Sequence, residues 1–162
     1  MKILFAPWRF FYIKKASKGD EEGVCVFCSA IKLGVSPKSL VIYKGTHASI
    51  ILNKYPYNNG HIMVIPHSHT SDFQELNSAE FKELHDLLKQ AHQALKKVYN
   101  PNGMNIGMNL GRDAGAGIVD HLHYHLVPRW HGDTNFMPVV GGTKVISESI
   151  EQTYEKLLPL FV

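Results

Sequence analysis

Cysteine is scarce, two residues in 162, which excludes the multiply cross-linked scaffolds of small secreted domains. Long hydrophobic runs are missing as well: no apolar stretch approaches the roughly 20 residues that a membrane-crossing helix needs. Neither charge sign is in large excess, since 17 Lys+Arg against 14 Asp+Glu leave a formal +3. Without a concentrated basic run, or aromatics alternating on a basic strand, a dedicated nucleic-acid-binding role finds little support, while small anionic ligands stay open. The polar excess of a disordered chain is lacking too, at 44% hydrophobic and 19% charged residues. The length suits one domain with a real core and is short for two. What the chain does have is ten histidines, several of them crowded into three short stretches.

The opening Met1-Lys2-Ile3-Leu4-Phe5-Ala6 is like the start of a signal peptide, but Pro7, Trp8 and Arg9 end the apolar run before an h-region is built. A cytoplasmic protein is the expectation. In a reducing compartment the pair Cys25 and Cys28 points to metal or redox chemistry more than to a structural staple.

An aromatic strip (Phe5, Trp8, Phe10, Phe11, Tyr12) leads through a polar connection, 14–23, into the body of the chain. Ser39 to Tyr43 and His47 to Leu52 read as strands joined at Lys44-Gly45-Thr46, and the turn-rich segment 53–60 delivers a third, His61 to Ile65. Asn77 and Glu80 are spaced as a capping box ahead of Phe81, Leu84, Leu88, Ala91, Leu95 and Val98, a helical repeat that Asn100-Pro101-Asn102-Gly103 stops. Met104 to Leu110 and His121 to Val127 are two more strands, joined by a Gly-rich loop (111–117), and Ser147 to Leu158 is a second helix. The expected fold class is α+β, with an antiparallel five-stranded sheet, one long helix and a C-terminal helix. Residues 1–162 form a single domain in this reading: an arm at 1–23, a core at 24–130 and a C-terminal extension at 131–162.

In His121-Leu122-His123-Tyr124-His125 the histidines alternate with apolar residues. On a strand all three imidazoles then face one way, while Leu122, Tyr124 and Leu126 pack into the opposite layer. At about 6.6 Å per two residues the first and third stand about 13 Å apart, which disfavours a three-histidine site on one metal with bonds of about 2 Å. Neutral imidazole is a nucleophile near pH 7 and protonated imidazole a donor to phosphate oxygens, so one row can supply both roles. Cys25-Val26-Phe27-Cys28 has zinc-ligand spacing but is half a tetrahedral shell. His67, His69 and an end member of the histidine row are candidates for the other half; a thioredoxin-like redox pair lacks a surrounding βαβ pattern.

The run His121-Leu122-His123-Tyr124-His125-Leu126-Val127-Pro128-Arg129 resembles the signature of the histidine triad (HIT) family of nucleotide hydrolases and nucleotidyl transferases. Asn53 and His61 are similar to the family's ribose-contacting Asn and phosphate-site His, and Asn109 falls where the family places an amide on the phosphates. Ala6-Pro7-Trp8-Arg9, Val127-Pro128-Arg129-Trp130 and Gly132-Asp133-Thr134-Asn135-Phe136 resemble the branch that contains bacterial diadenosine tetraphosphate phosphorylases, so the resemblance spans nearly the whole chain.

The resemblance implies a homodimer with a sheet continued across its interface. It also implies covalent, two-step cleavage of a dinucleoside polyphosphate, diadenosine tetraphosphate foremost, at the α-phosphate. His123 would be the nucleophile, its other ring nitrogen held by a backbone carbonyl, with His125, His61 and Asn109 on the phosphate oxygens. Substrate binding would fall to Asn53, Asn109 and Gly117 of the 114–117 loop, with Phe27, Ile31, Ile51 and Trp130 as base-pocket candidates. The zinc ligands carried over are Cys25, Cys28, His69 and His121; Mg2+ bound with the polyphosphate is the second cofactor expectation. Phosphate is the expected acceptor. Water as acceptor, hydrolysis of AMP-amine phosphoramidates, and a non-catalytic zinc-stabilised nucleotide-binding module are the alternatives. Arg112 and Lys144 either meet distal phosphates or are ordinary exposed cations, and Asp113 and Asp120 are weighed as groups that orient a histidine. His131 neighbours Trp130, His47 lies at the surface, and His85 and His92 share a solvated helix face.

Overall fold

Residues 48–52 and 62–66 are buried at every position, so both faces of the sheet they form have to be covered. In the computed structural model, which describes residues 24–141 and 144–161, helices supply both covers. The chain runs α1 (Val26–Leu33), β1 (Val41–Lys44), β2 (Ala48–Leu52), β3 (Ile62–Pro66), a 3-10 turn (Phe73–Glu75), α2 (Ser78–Tyr99), β4 (Gly103–Met108), β5 (Tyr124–Arg129), α3 (Met137–Val140), α4 (Ile150–Leu157) and a closing 3-10 turn. The strands form one antiparallel sheet in the order β1-β2-β3-β5-β4. One face presents Ile42, Ile50, Leu52, Ile62, Val64 and Leu126 to Leu84, Leu87, Ala91 and Leu95 of α2 and to Tyr154 and Leu157 of α4. The other presents Val41, Ile51, Met63 and Ile65 to Phe27, Ala30 and Ile31 of α1. This is the expected single-domain α+β fold. The N-terminal aromatic strip and Ala6-Pro7-Trp8-Arg9 lie outside the described residues.

Two local features differ from expectation. The first is α1, which the sequence does not announce because its buried set, Phe27, Ala30 and Ile31, covers barely more than one turn. Its stop signal is legible in hindsight: Gly34 takes φ 72° and its N–H caps the carbonyls of Ala30 and Ile31. The second is the histidine strand, expected from His121 but beginning at Tyr124. Both ladders that hold β5 end there, at Val64↔Tyr124 on one side and Met108↔Tyr124 on the other. Residues 121–123 thus lack a partner strand among the described residues; the Leu122 N–H bonds the Thr70 carbonyl instead.

The long helix starts where the capping box places it. The Asn77 side chain accepts from the Ala79 and Glu80 N–H groups, and Glu80 returns a bond to the Asn77 N–H. Asn77→Ala removes that cap and should cost about 1 kcal/mol, read as a Tm lower by about 2–4 °C in a domain of this size. Activity should be unaffected, because the bonds lost, from the Ala79 and Glu80 N–H groups to the Asn77 side chain, involve none of the histidines. A Tm unchanged to within 1 °C would show that the cap contributes little.

Candidate active site and metal centre

Period-two alternation puts the functional side chains on the α1 face of the sheet. Ile51 pairs with Met63, and Met63 with His125. His61, two residues before Met63, and Asn53, two after Ile51, share that face. The three imidazoles of the 121–125 run also lie along it: Phe27 packs on His121 and His123 (ring centroids 5.3 and 5.1 Å apart), and His123 stands edge-on to His125 at 4.8 Å.

The hydrogen bonds fix each tautomer. His61 accepts the Tyr57 backbone N–H at Nδ1, 3.0 Å. Its own proton therefore sits on Nε2, which donates to Nδ1 of His125 at 2.9 Å. That leaves the N–H of His125 on Nε2, free to meet a phosphate oxygen. In His123 the order is reversed. Nδ1 lies 2.8 Å from the His121 carbonyl, a position that requires an N–H, so Nε2 keeps an unprotonated lone pair. Burial holds all three rings neutral. His61 is pushed down to about 3, by desolvation first and then by the charges of His125 and His123. His125 is pushed to about 4 by desolvation and by His123, and His123 is lowered by desolvation against the opposing pull of the carbonyl. His61 and His125 thus form a relay of neutral N–H groups.

Tyr57 is the residue that sequence reasoning missed. Its N–H sets the His61 tautomer, and its ring lies 4.5 Å from His61 and stacks on His125 at 5.6 Å. Gly60 makes its turn possible, with φ 70° and Tyr99 so near that a Cβ would meet the ring at 2.8 Å. Past His125 opens a groove of about 370 Å³ whose lining includes Tyr57, Asn105, Gly107, Asn109 and Lys144, a size typical of small-molecule sites.

The other expected residues divide. Asn53 is buried beside His61, its Oδ1 accepting the Tyr55 N–H. Asn109 reaches the Gly115 carbonyl at 3.5 Å, and Gly117 follows that turn. Phe27, Ile31 and Ile51 pack together in the core under α1. Trp130 is not among the groove residues; its Nε1–H points at the Tyr99 carbonyl, 3.4 Å away. His131 binds Asn102 through its backbone, and Arg112, Asp113 and Asp120 are exposed. His67 bonds the buried Ser49 hydroxyl at 2.8 Å, which removes it from the metal candidates.

A separate group of donors converges at the start of α1. Cys25 is its N-cap and Cys28 lies one turn on, so both sulfurs project at the positive end of the helix dipole. Nδ1 of His121 is 3.4 Å from the Cys25 sulfur and 3.7 Å from that of Cys28. Nδ1 of His69 is 3.5 Å from the Cys28 sulfur and 3.4 Å from Nδ1 of His121. A tetrahedral zinc with bonds of about 2.3 Å to sulfur and about 2.0 Å to nitrogen requires separations of about 3.3 Å between nitrogens and about 3.5 Å between nitrogen and sulfur. The donors fit. Nε2–H of His121 donates to the Pro66 carbonyl at 2.9 Å, which leaves Nδ1 free as the ligand atom. Burial and the charge of Cys25 push the Cys28 thiol up, a repulsion that a dication would remove.

A five-stranded antiparallel sheet with a row of three histidines beside a groove of small-molecule size defines a histidine triad protein. Residues 36–132 match the HIT domain, and the chain belongs to that family. Among curated relatives it is 42% identical to an AP-4-A phosphorylase of Mycobacterium tuberculosis over 158 residues, 94% of this chain and 80% of the relative. It is 32% identical to the asymmetrical bis(5'-nucleosyl)-tetraphosphatase of Schizosaccharomyces pombe over 59% of this chain and 52% of that protein. Among solved structures, a Zn-bound histidine triad family protein from Mycobacterium smegmatis superposes with a TM-score of 0.67 at 25% identity, covering 85% of this chain and 92% of the other. A hypothetical histidine triad nucleotide-binding protein from Sulfolobus tokodaii gives 0.68 at 28% identity, over 85% and 91%.

Proposed function

We propose that the chain is a nucleotidyl transferase that cleaves diadenosine tetraphosphate at the α-phosphate through a nucleotidyl-His123 intermediate and passes the nucleotidyl group to inorganic phosphate. The observation that carries this is the His123 tautomer: Nδ1–H on the His121 carbonyl and a bare Nε2 beside the Nε2–H of His125. Nε2 of His123 attacks phosphorus; His125, aligned by His61, and Asn109 hold the oxygens as charge builds on them. The similarity to the mycobacterial AP-4-A phosphorylase supports phosphate as the acceptor. The shorter match to a fission-yeast tetraphosphatase supports a second reading with water.

Labelled phosphate decides between them. With diadenosine tetraphosphate as substrate, label should enter ADP, in step with substrate loss. AMP forming at one rate with and without phosphate would overturn the phosphorylase reading in favour of hydrolysis, and no turnover at all would leave the nucleotide-binding module. A substrate panel containing an AMP-amine phosphoramidate separates the phosphoramidase alternative.

The same proposal includes zinc on Cys25, Cys28, His69 and His121, a homodimer joined through the exposed edge strand β4, and a cytoplasmic location. Among the described residues no other group of three or more His, Cys, Asp or Glu side chains is placed to hold a metal ion, so magnesium is assigned no site on the protein.

A further inference from the structure

Among the described residues two cations line the groove past His125, and they are not equivalent. Arg129 is committed: Nε and Nη2 bind Asp133 at 2.6 and 3.0 Å, and Nη1 donates to Asn105 at 3.0 Å. Lys144 enters no ion pair among the described residues. Partial burial lowers its pKa, opposed by Asp133 and reinforced by Arg129, and its charge reaches His61. A cation held beside a second cation, whose carboxylate is already bidentately engaged, is under-neutralised; an anion in the groove relieves it. Arg112, the other basic candidate and exposed like Lys144, is absent from the groove lining.

The ladder gives the groove its direction. Gly107 pairs with His125 and Gly103 with Arg129, so the floor runs about 13 Å from the histidines toward Arg129, at about 3.3 Å per residue. With His123 as nucleophile, the reading on which this inference rests, Nε2 bonds to the α-phosphorus while the bond to the departing polyphosphate oxygen breaks and that oxygen keeps the electron pair. In the second step an acceptor oxygen bonds to phosphorus, the P–N bond breaks, and its pair returns to Nε2. Both displacements are in line. The acceptor therefore enters through the space that the leaving group vacated, and one anion subsite serves both. A phosphate anion attacks with an oxygen that is already deprotonated, whereas water must give up a proton.

We propose that Lys144 forms this subsite, binding the distal phosphates of the departing chain and then the incoming phosphate, and so favours phosphate over water. Lys144 lies outside the matched domain, residues 36–132, so the subsite is contributed by the C-terminal extension.

Titration with AMP and with ATP, for the unaltered protein, Lys144→Gln and Lys144→Arg, tests the subsite without turnover. Lys144→Gln should weaken ATP binding about tenfold, the scale of one charged contact to a phosphate, leave AMP binding unchanged, and be largely rescued by Lys144→Arg. With diadenosine tetraphosphate as substrate, the KM for phosphate should rise by a similar factor and the AMP fraction should grow. An unchanged ATP-to-AMP affinity ratio in Lys144→Gln overturns the proposal. A weakened ratio with an unchanged KM for phosphate overturns its acceptor half. If the unaltered protein makes no phosphate-dependent ADP while the affinity ratio still falls, the phosphorylase reading is lost and the polyphosphate subsite stands.

Discussion

His123→Gln should lower turnover of diadenosine tetraphosphate by at least about 10⁴-fold, the scale of removing a covalent nucleophile. AMP should still bind within about threefold, because the contacts assigned to ribose and phosphate come from Asn53, His61, His125 and Asn109. Gln keeps most of the volume of a side chain that is only 4% exposed and packed on Phe27, so loss of turnover is not loss of fold. Radiolabel from the adenylate half of the substrate should be trapped on unaltered protein denatured in cold alkali, where the acid-labile P–N bond survives, and not on the variant. His125→Gln should cost less, about 10²–10³-fold, as expected for one donor to developing charge.

The acid side of the pH profile follows from the same environment. In the proposed mechanism His123 attacks as the neutral ring, and its folded pKa lies below the usual 6.5, so the neutral form persists as pH falls past 6.5 and rate is lost only below that. An acid limb centred at or above 6.5 would contradict the assignment of a desolvated nucleophile. If the variant retains more than a hundredth of the rate, the attacking group is not His123.

Much of this arrangement is legible in the chain because it is local. The capping box at Asn77, the stop at Asn100 and the alternation from His121 to His125 are short-range patterns with direct steric causes, and each has its counterpart in the fold. The zinc donors are legible only in part. Cys-x-x-Cys spacing identifies half a site, but the choice between His67 and His69 depends on which side of β3's end each side chain falls, and Ser49 takes the first. What is not legible comes from tertiary closure. Tyr57 acts through its backbone N–H, which no residue type encodes, and the choice between Arg112 and Lys144, both candidates for the distal phosphates, depends on the C-terminal extension bringing Lys144 within range of His61. Trp130 shows the converse. It neighbours the triad in sequence, yet its indole is turned to the end of α2.

Loss of the metal should be felt at the nucleophile as well as in stability. The unaltered protein, purified without chelator, should carry about one zinc per chain, and Cys28→Ser should carry little, since a tetrahedral site that loses a thiolate loses much of its affinity. A metal present at about a thousandfold its Kd contributes about 4 kcal/mol, so the variant's Tm should fall by about 8–16 °C at about 2–4 °C per kcal/mol. The link to chemistry is short. His121 is both a proposed ligand and the residue whose carbonyl holds Nδ1–H of His123 at 2.8 Å, and Phe27, between the two cysteines in sequence, packs on both rings. With α1 released from His69 and His121, the bonds that still hold that carbonyl among the described residues are those of His121 to Pro66 and of Leu122 to Thr70. Turnover by Cys28→Ser should then fall well below that of the unaltered protein at a temperature where both remain folded, and ¹⁵N chemical shifts of the His123 ring should move from a single Nδ1–H tautomer toward a mixture. An unaltered protein holding well under one zinc, or a variant with full metal content and unchanged Tm, would remove zinc from the proposal and leave the four donors as a hydrogen-bonded cluster.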